Sequence, residues 1–213
     1  MNDPSRAIWF FSSFSSSYSY FAAQRIEDVA ARHGRTVLWR PVLLRRLRDE
    51  LYGGHPPDVP VPVLEYRMHD VARIAAARGL PLTMPSRFPP DSDATCPIVY
   101  ALAGGDEGRL RSLTLALFQA IWGSGKTVRD AAEITDALAR YLMSGAEVEL
   151  AARDPAGVAA HDAALAEARR TGMFGAPWMV VDGETFWGQD RIVWLDRWLG
   201  SRPRPAADKA VAD

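Results

Sequence analysis

Ala7-Ile8-Trp9-Phe10-Phe11, followed at once by Ser12-Ser13-Phe14-Ser15-Ser16-Ser17, is the stretch that decides the fold of this chain. A short, continuous apolar run is typical of a strand buried on both faces, and the polar series indicates the loop at its end. Helix-forming residues follow from Tyr18 to His33, and Thr36-Val37-Leu38-Trp39 then restores a strand pattern. The sequence therefore predicts a strand-helix-strand unit whose two strands are parallel and joined right-handedly.

The second clear signal is a β-hairpin near the end of the chain. Asp182-Gly183 separates Trp178-Met179-Val180-Val181 from Glu184-Thr185-Phe186-Trp187. This dipeptide suits a two-residue type I′ turn, which needs positive φ at both positions. A helix from Pro155 to about Thr171 is expected before the hairpin, and Asp190 is expected to cap the helix that follows it.

Between these two parts the hydrophobic pattern is helical. Apolar residues recur at spacings of three and four in the segments Val63 to Arg78, Pro97 to Ala103, Gly108 to Trp122 and Asp130 to Met143. The stretch Pro57 to Pro62 is expected to be an extended linker or flap. The order predicts an α/β fold with a thioredoxin-like core, residues 1–42 and 155–200, interrupted by an all-helical insert, residues 43–154. Residues 201–213 are expected to be a frayed tail.

The composition is that of an ordinary globular protein. The 213 residues are 48% hydrophobic, and 25 basic against 26 acidic residues leave a formal net charge of -1. A chain with so little net charge has no overall field that would attract nucleic acid or an anionic membrane. No apolar run approaches the roughly 20 residues of a membrane span, and the N-terminus lacks the pattern of a signal peptide. We therefore expect a cytoplasmic protein with no nucleic-acid or membrane partner.

Cysteine and histidine usage limits the chemistry. Cys96 is the only cysteine, which excludes an internal disulfide, a C-x-x-C redox pair and a cysteine-based zinc site. The four histidines show no metal-ligand spacing, so no metal is expected and surface positions are predicted for His33, His55, His69 and His161. Sulfur chemistry must use Cys96, which we expect to be buried and inert, or must come from an external thiol.

Ser16 stands where thioredoxin-like proteins hold their reactive group, at the N-terminus of the helix after the first strand. Free backbone N–H groups and the helix dipole stabilise a thiolate at such a place. A serine hydroxyl cannot be a redox centre, but it can donate a hydrogen bond to an external thiolate. The alternative is that Ser16 and the neighbouring serines only cap the helix.

Five motifs occur in order along the chain. They are Ser16-Ser17-Tyr18-Ser19-Tyr20; Tyr66, Asp70 and Arg73; Phe118-x-Ala120-x-Trp122-Gly123; Phe174-Gly175-Ala176-Pro177; and Phe186-Trp187-Gly188-Gln189-Asp190-Arg191. Together they resemble the motifs of the 2-hydroxychromene-2-carboxylate isomerases and the kappa-class glutathione transferases, from about Ile8 to Leu199. The resemblance implies a DsbA-like thioredoxin fold, the use of glutathione or another low-molecular-weight thiol, and a homodimer.

The resemblance also implies the residues of the site. Ser16 would be the catalytic residue, and the thiol would be bound by Ala176, Pro177, Gln189, Asp190 and Arg191. Ala176 would pair with the cysteinyl backbone of glutathione, and its bond to Pro177 is a plausible cis peptide. By residue type alone, Asp190 is a helix cap and Arg191 a solvated charge. Candidate substrate contacts are Tyr18, Tyr66, Asp91 and Trp122, although a tryptophan is more often part of the core.

Four positions depart from the family pattern. Ser17 replaces a proline, Val63 replaces a lysine, Asp91 replaces an asparagine, and Ser124 stands where many relatives have glutamate. The lost cation at Val63 and the new anion at Asp91 weaken the case for a substrate carboxylate bound as in the aromatic-degradation isomerases. A changed substrate, or even a changed thiol, is the expected consequence.

The leading hypothesis is a glutathione-dependent isomerase that acts on an aromatic or conjugated 2-oxo acid or enone by reversible thiol addition. If the product keeps the sulfur, the same site makes a kappa-class-like glutathione transferase that conjugates a small electrophile. The third possibility is a thioredoxin-fold binding protein without catalysis. A disulfide oxidoreductase is disfavoured because the chain has a single cysteine.

Overall fold

The computed structural model describes residues 6–55, 57–141 and 143–201, and these residues form one four-stranded sheet in the order β2-β1-β3-β4. The strands are β1 Ala7–Ser12, β2 Thr36–Pro41, β3 Trp178–Val181 and β4 Glu184–Trp187. Strand β1 is parallel to β2, with Phe10 opposite Trp39, and antiparallel to β3, with Phe10 opposite Met179. The predicted α/β fold, with its parallel strand-helix-strand unit and its hairpin, is confirmed. Except for Ser201, the predicted tail lies outside the described residues.

The hairpin has the backbone that its turn residues demand. Strands β3 and β4 are antiparallel, with Val181 opposite Glu184. Asp182 and Gly183 between them have φ of 49° and 82°. Both values are positive, as the type I′ turn requires.

The helices differ in detail from the sequence prediction. They are α1 Ser17–Ala23, α2 Ile26–Arg32, α3 Leu44–Leu51, α4 Val61–Arg78, α5 Thr95–Ala103, α6 Glu107–Phe118, α7 Ala131–Leu138, α8 Gly145–Ala151, α9 Pro155–Arg170 and α10 Ile192–Gly200. The single helix expected from Tyr18 to His33 is wrong, because Arg25, with φ of -128°, interrupts it and lets α2 restart with a buried Ile26. Helices α3 and α8 were not foreseen, since each is short and carries few buried residues.

Two further segments of the central part also differ from expectation. The extended linker predicted to reach Pro62 ends at Pro60, and α4 begins at Val61 because proline is tolerated in the first turn of a helix. The long helix predicted to Trp122 is α-helical to Phe118 and continues as a π-helical turn, Gln119–Gly123. All named elements between β2 and β3 are helical.

The sheet carries helices on both faces. On the face of Phe10, Trp39 donates to Glu27 of α2 at 2.7 Å, and Phe186 packs edge-on against Trp198 of α10. On the opposite face, the guanidinium of Arg40 stacks over Trp9 and forms ion pairs with Glu107 of α6 and Glu167 of α9. This packing leaves the end of β1 and the start of α1 at one edge of the core, next to α4. Within the described ranges, no helix is long and apolar enough to cross a membrane.

Candidate functional site

Ser16 is the N-cap residue of α1, as the capping interpretation predicts. The chain turns after β1, where the Ser16 N–H donates to the Ser13 carbonyl oxygen at 3.0 Å. Ser16 has an extended backbone, and its hydroxyl oxygen accepts a hydrogen bond from the Ser19 N–H at 3.1 Å. The N–H groups of the first turn have no partner inside a helix, so Ser17 and Tyr18 present theirs at the same end of α1.

The same hydroxyl also reaches a loop 160 residues further along the chain. Ser16 Oγ donates to the carbonyl oxygen of Ala176 at 3.1 Å. The Ala176-Pro177 peptide bond is cis. The Pro177 carbonyl in turn accepts the Gly188 N–H at 3.0 Å, which joins this loop to the segment that follows β4. The structure therefore brings together Ser16, Ala176 and Pro177, as the resemblance implies.

Gln189, Asp190 and Arg191 form a 3₁₀ turn before α10. The expected cap by Asp190 is wrong: the N-cap position of α10 is Arg191, which makes no side-chain cap bond, because the 3₁₀ turn separates Asp190 from the α-helix. The Asp190 carboxylate instead folds back over Gly188, whose φ is 109°. It also lies 3.6 Å from the Arg191 guanidinium. Both side chains are exposed next to the cis-proline loop.

The Gln189 side chain is buried and points toward α4, unlike the exposed side chains of Asp190 and Arg191. Its oxygen accepts a hydrogen bond from Arg78, the last residue of α4. Arg78 also donates to the Phe21 carbonyl oxygen at 3.4 Å and lies over the Phe21 ring. Burial lowers the pKa of Arg78, and the neighbouring Arg25 lowers it further. Sequence reasoning missed Arg78, because nothing in the local pattern links the end of α4 to Gln189.

Tyr18 connects α1 to α4. Its hydroxyl donates to an Asp70 carboxylate oxygen at 2.9 Å. Burial raises the pKa of Tyr18 to about 12, and the hydrogen bond to Asp70 acts in the same direction. Asp70 also pairs with Arg73 at 3.2 Å, and Arg73 lies over the ring of Tyr66, which is 63% exposed. The motif residues of α4 therefore lie against the start of α1.

Asp91 lies beneath residues 13–16, which connect β1 to α1 and are called the serine loop below, and it is only 3% exposed. Burial raises the pKa of its carboxyl group to about 6, although its own N–H, Arg45, the Ser15 N–H and Arg129 lower it. One carboxyl oxygen, Oδ2, has no hydrogen-bond partner among the described residues. Asp91 is thus a buried acid against the residue that precedes Ser16, and it is shielded from the open side of the site.

Trp122 and three of the positions that depart from the family pattern lie in different environments. Trp122 is buried, and its indole N–H donates to the Phe14 carbonyl oxygen at 3.0 Å, so its ring packs beneath the serine loop. Ser17 is half-buried in the first turn of α1, whereas Ser124 is exposed. Val63 is exposed on α4. The roles of these residues toward a substrate stay predictions.

Two buried groups lie outside this arrangement. His161 is wholly buried, so its predicted surface position is wrong: Nε2 lies 3.2 Å from the Leu43 N–H, which needs an acceptor where α3 begins. Burial lowers the pKa of His161 to about 4. Cys96 is buried with a raised thiol pKa, as expected for an inert cysteine. In the part of the chain that the structure describes, no three His, Cys, Asp or Glu side chains are grouped to hold a metal ion.

Comparisons with known proteins agree with this geometry. Residues 7–199 match the model of the DSBA-like thioredoxin domain. A 2-hydroxychromene-2-carboxylate isomerase of Sphingobium xenophagum is 33% identical over 196 residues, 91% of this chain and 98% of that protein. A Pseudomonas putida protein of the same name is 26% identical over 93% of this chain and 97% of its own length. A solved structure of such an isomerase has a TM-score of 0.74 at 24% identity, over 91% of this chain and 94% of that one.

Proposed function

This chain belongs to the DSBA-like thioredoxin domain family and to the 2-hydroxychromene-2-carboxylate isomerases, and from that premise we propose that it is a glutathione-dependent isomerase of an aromatic or conjugated 2-oxo acid or enone. The isomerase activity follows from its homologues. The thiol, the substrate and the roles of the residues are our proposals, and they depend on the contact between Ser16 and Ala176.

The contact between Ser16 and Ala176 supports a position for the sulfur of an external thiol at the start of α1. In this fold the N-terminus of α1 favours an anionic sulfur, because first-turn N–H groups and the helix dipole converge there. The chain supplies a hydroxyl at that place, and its cysteine, Cys96, is buried in α5. A hydroxyl that already accepts the Ser19 N–H keeps one hydrogen to donate, now to the Ala176 oxygen at 3.1 Å. Ser16 can turn that hydrogen toward an external anion without losing its cap.

The residues around this contact fit a peptide-like thiol such as glutathione. The carbonyl oxygen of Ala176 becomes free to accept a peptide N–H once Ser16 donates elsewhere. The Asp190 carboxylate, folded over Gly188, is an acceptor for an ammonium group at the same loop. The guanidinium of Arg191 lies 3.6 Å from that carboxylate and can meet a ligand carboxylate. The chain thus offers a partner for each polar end of the tripeptide.

Bound glutathione would supply the nucleophilic sulfur that adds to the substrate and later leaves it, so that the thiol is regained. Ser16 would orient the sulfur and stabilise its negative charge. Ala176, Asp190 and Arg191 would hold the tripeptide in one position, which provides the proximity part of the acceleration. The hydroxyl of Tyr18, with its pKa of about 12, stays protonated and holds Asp70 rather than exchanging protons near neutral pH.

The experiment combines the protein with glutathione and 2-hydroxychromene-2-carboxylate and follows substrate absorbance and free thiol together. We expect isomerisation that requires glutathione in catalytic amount and leaves the free thiol concentration unchanged. Net consumption of thiol would instead identify a transferase. If no isomerisation occurs and calorimetry detects no heat with millimolar glutathione, the proposed thiol is wrong.

We also propose that the protein is a cytoplasmic homodimer that binds a small electrophile and neither nucleic acid nor membrane. The formal net charge of -1 supports the lack of a polyanionic partner. The homodimer rests on the family resemblance. Sedimentation velocity at micromolar concentration tests it, since a single species of 23.5 kDa would contradict the dimer.

A further inference from the structure

Helix α4 runs alongside α1 in the same direction. At the end of α4, Arg78 donates to the Phe21 carbonyl oxygen in the last part of α1. Eight residues earlier, Asp70 accepts from Tyr18, in the first turn of α1. The contact moves toward the start of α1 as α4 is followed backward. The residues of α4 that precede Asp70 therefore lie over the N-terminus of α1, where Ser16 is the cap.

Arg67 lies on the part of α4 that this direction places nearest to Ser16. It is three residues before Asp70, so the two side chains share one face of the helix, about 4.5 Å apart along the axis. Val63 is four residues further back on the same face. The Arg67 guanidinium also lies close enough to Tyr18 to favour its ionised form. The family's missing lysine position and Arg67 thus belong to one stripe of α4.

The charge of Arg67 is available to a ligand. The side chain is exposed. Across residues 6–55, 57–141 and 143–201, no carboxylate oxygen forms an ion pair with it within 4.0 Å. Asp70, its neighbour on the same face, is already bonded to Tyr18 and to Arg73. Near the start of α1, Arg67 is therefore a cation for which the described residues provide no carboxylate partner.

We infer that Arg67 binds the carboxylate of the substrate, an inference that rests on the proposed isomerase site. An arginine presents its N–H groups as a planar fork that matches a carboxylate. This assigns the substrate to the 2-oxo acids rather than to the neutral enones. It also revises the expectation drawn from Val63, because the cation is displaced by one helical turn instead of lost. Asp91 does not oppose this assignment, since its carboxyl group is buried beneath Ser15.

Kinetics with a matched pair of substrates test the inference. Arg67→Gln and Arg67→Lys are compared with Arg170→Gln, which removes an exposed arginine from the last turn of α9, on the other face of the sheet. The substrates are 2-hydroxychromene-2-carboxylate and its methyl ester, each with glutathione. We expect Arg67→Gln to lower kcat/KM for the acid by about 10- to 100-fold, mostly through KM, because a charge-assisted pair is lost. In Arg67→Gln, kcat/KM for the ester should change by less than about twofold. Arg67→Lys should recover part of the loss of kcat/KM for the acid.

Binding measurements keep the inference testable if neither substrate is turned over, the result that would damage the proposed function itself. Calorimetric titrations compare trans-cinnamate with cinnamamide in the presence of glutathione, and glutathione alone is titrated separately. The wild type should prefer the acid, Arg67→Gln should lose that preference, and Arg170→Gln should keep it. Equal losses for acid and amide would overturn the inference. So would a lower affinity for glutathione with the acid preference intact, because the carboxylate on Arg67 would then be that of the thiol.

Discussion

Tyr18 donates its phenolic hydrogen to Asp70 at 2.9 Å, a bond between residues 52 positions apart. Helix α4 spans 18 residues, yet its fully buried residues are Val71 and Ala75 alone among those described. With so little apolar surface to hold it, the helix depends on polar contacts at α1. The bond from Tyr18 therefore helps to place Arg67 and Tyr66 near the start of α1.

Removing this bond should loosen α4 without unfolding the core. Tyr18→Phe deletes one hydrogen bond to a charged group, so we expect the free energy of unfolding to fall by about 1 to 2 kcal/mol. Because α4 is less firmly placed, KM for an acidic substrate should rise more than kcat falls. Urea denaturation measures the first effect and steady-state kinetics the second.

Tyr20 provides a matched control for that variant. Its hydroxyl donates to the Pro81 carbonyl oxygen at 3.0 Å, a bond to a neutral acceptor that does not involve α4. Tyr20→Phe should therefore lower stability by about 1 kcal/mol and leave KM unchanged. If Tyr20→Phe raised KM as much as Tyr18→Phe, the effect would be one of general stability and the positioning argument would fail.

Two serine caps separate the catalytic role of Ser16 from its capping role. Ser16 caps α1 beside Ala176, and Ser144 caps α8 with a reciprocal bond to Glu147. Ser16→Ala and Ser144→Ala should each cost about 1 kcal/mol of stability, since each removes one cap. We expect only Ser16→Ala to lower kcat/KM, by about 10- to 100-fold, because the hydroxyl that orients the sulfur is gone. Thermal denaturation and kinetics on both variants check this, and equal kcat/KM values would contradict the assigned role.

The parts of the fold that depend on local sequence were predictable. Asp182-Gly183 fixes its own turn, because few other dipeptides adopt positive φ twice. The run from Ala7 to Phe11 is apolar on both faces, so burial in a central strand follows from composition alone. The cap at Ser16 is likewise a local property, and it was foreseen as one of two interpretations.

Features that depend on contacts distant in sequence were not predictable from local pattern. His161 is polar and lies on a helix, and its burial follows only from the need of the Leu43 N–H for an acceptor 118 residues away. The break at Arg25 reflects how Ile26 reaches the core, which no local signal reports. The contact of Ser16 with Ala176 was reached through resemblance to a family. Arg67 matches no family motif, and its place became visible only from the direction of α4.

Asp91 should make the protein less stable as the pH rises. Its pKa is about 6 in the folded chain against 3.8 as the ordinary value, so folding favours the protonated acid. The contribution of the protonated Asp91 carboxyl group to the free energy of unfolding is complete below about pH 4. It is lost as the pH rises through 6, a change of about 3 kcal/mol. Asp91→Asn stays neutral at every pH. We therefore expect this variant to exceed the wild type in stability at pH 8 and to lose most of that advantage at pH 4.5, measured by urea denaturation.

The neighbouring Asp93 is the control for Asp91→Asn. Its side chain is 65% exposed and pairs with Arg45 at 2.7 Å. Exposed pairs contribute about 0 to 1 kcal/mol, so Asp93→Asn should change stability little at either pH. An unchanged difference between Asp91→Asn and the wild type from pH 4.5 to pH 8 would show that Asp91 is ionised in the folded protein throughout.

His161 should act in the opposite direction and limit stability in acid. Its folded pKa is about 4 against 6.5 as the ordinary value, because burial disfavours the imidazolium and Arg46 adds to the effect. The stabilisation is complete above pH 6.5 and is lost as the pH falls through 4, by about 3 kcal/mol. Since Asp91 gains stability over the same interval, the two slopes partly cancel in the wild type. His161→Gln keeps an acceptor for Leu43 but does not titrate, so its stability should rise as the pH falls from 6.5 to 4. Urea denaturation across that interval checks this, with His69→Gln, a change at an exposed histidine, as the control. If the free energy of unfolding of His161→Gln changed with pH as it does in the wild type, His161 would not be the titrating group.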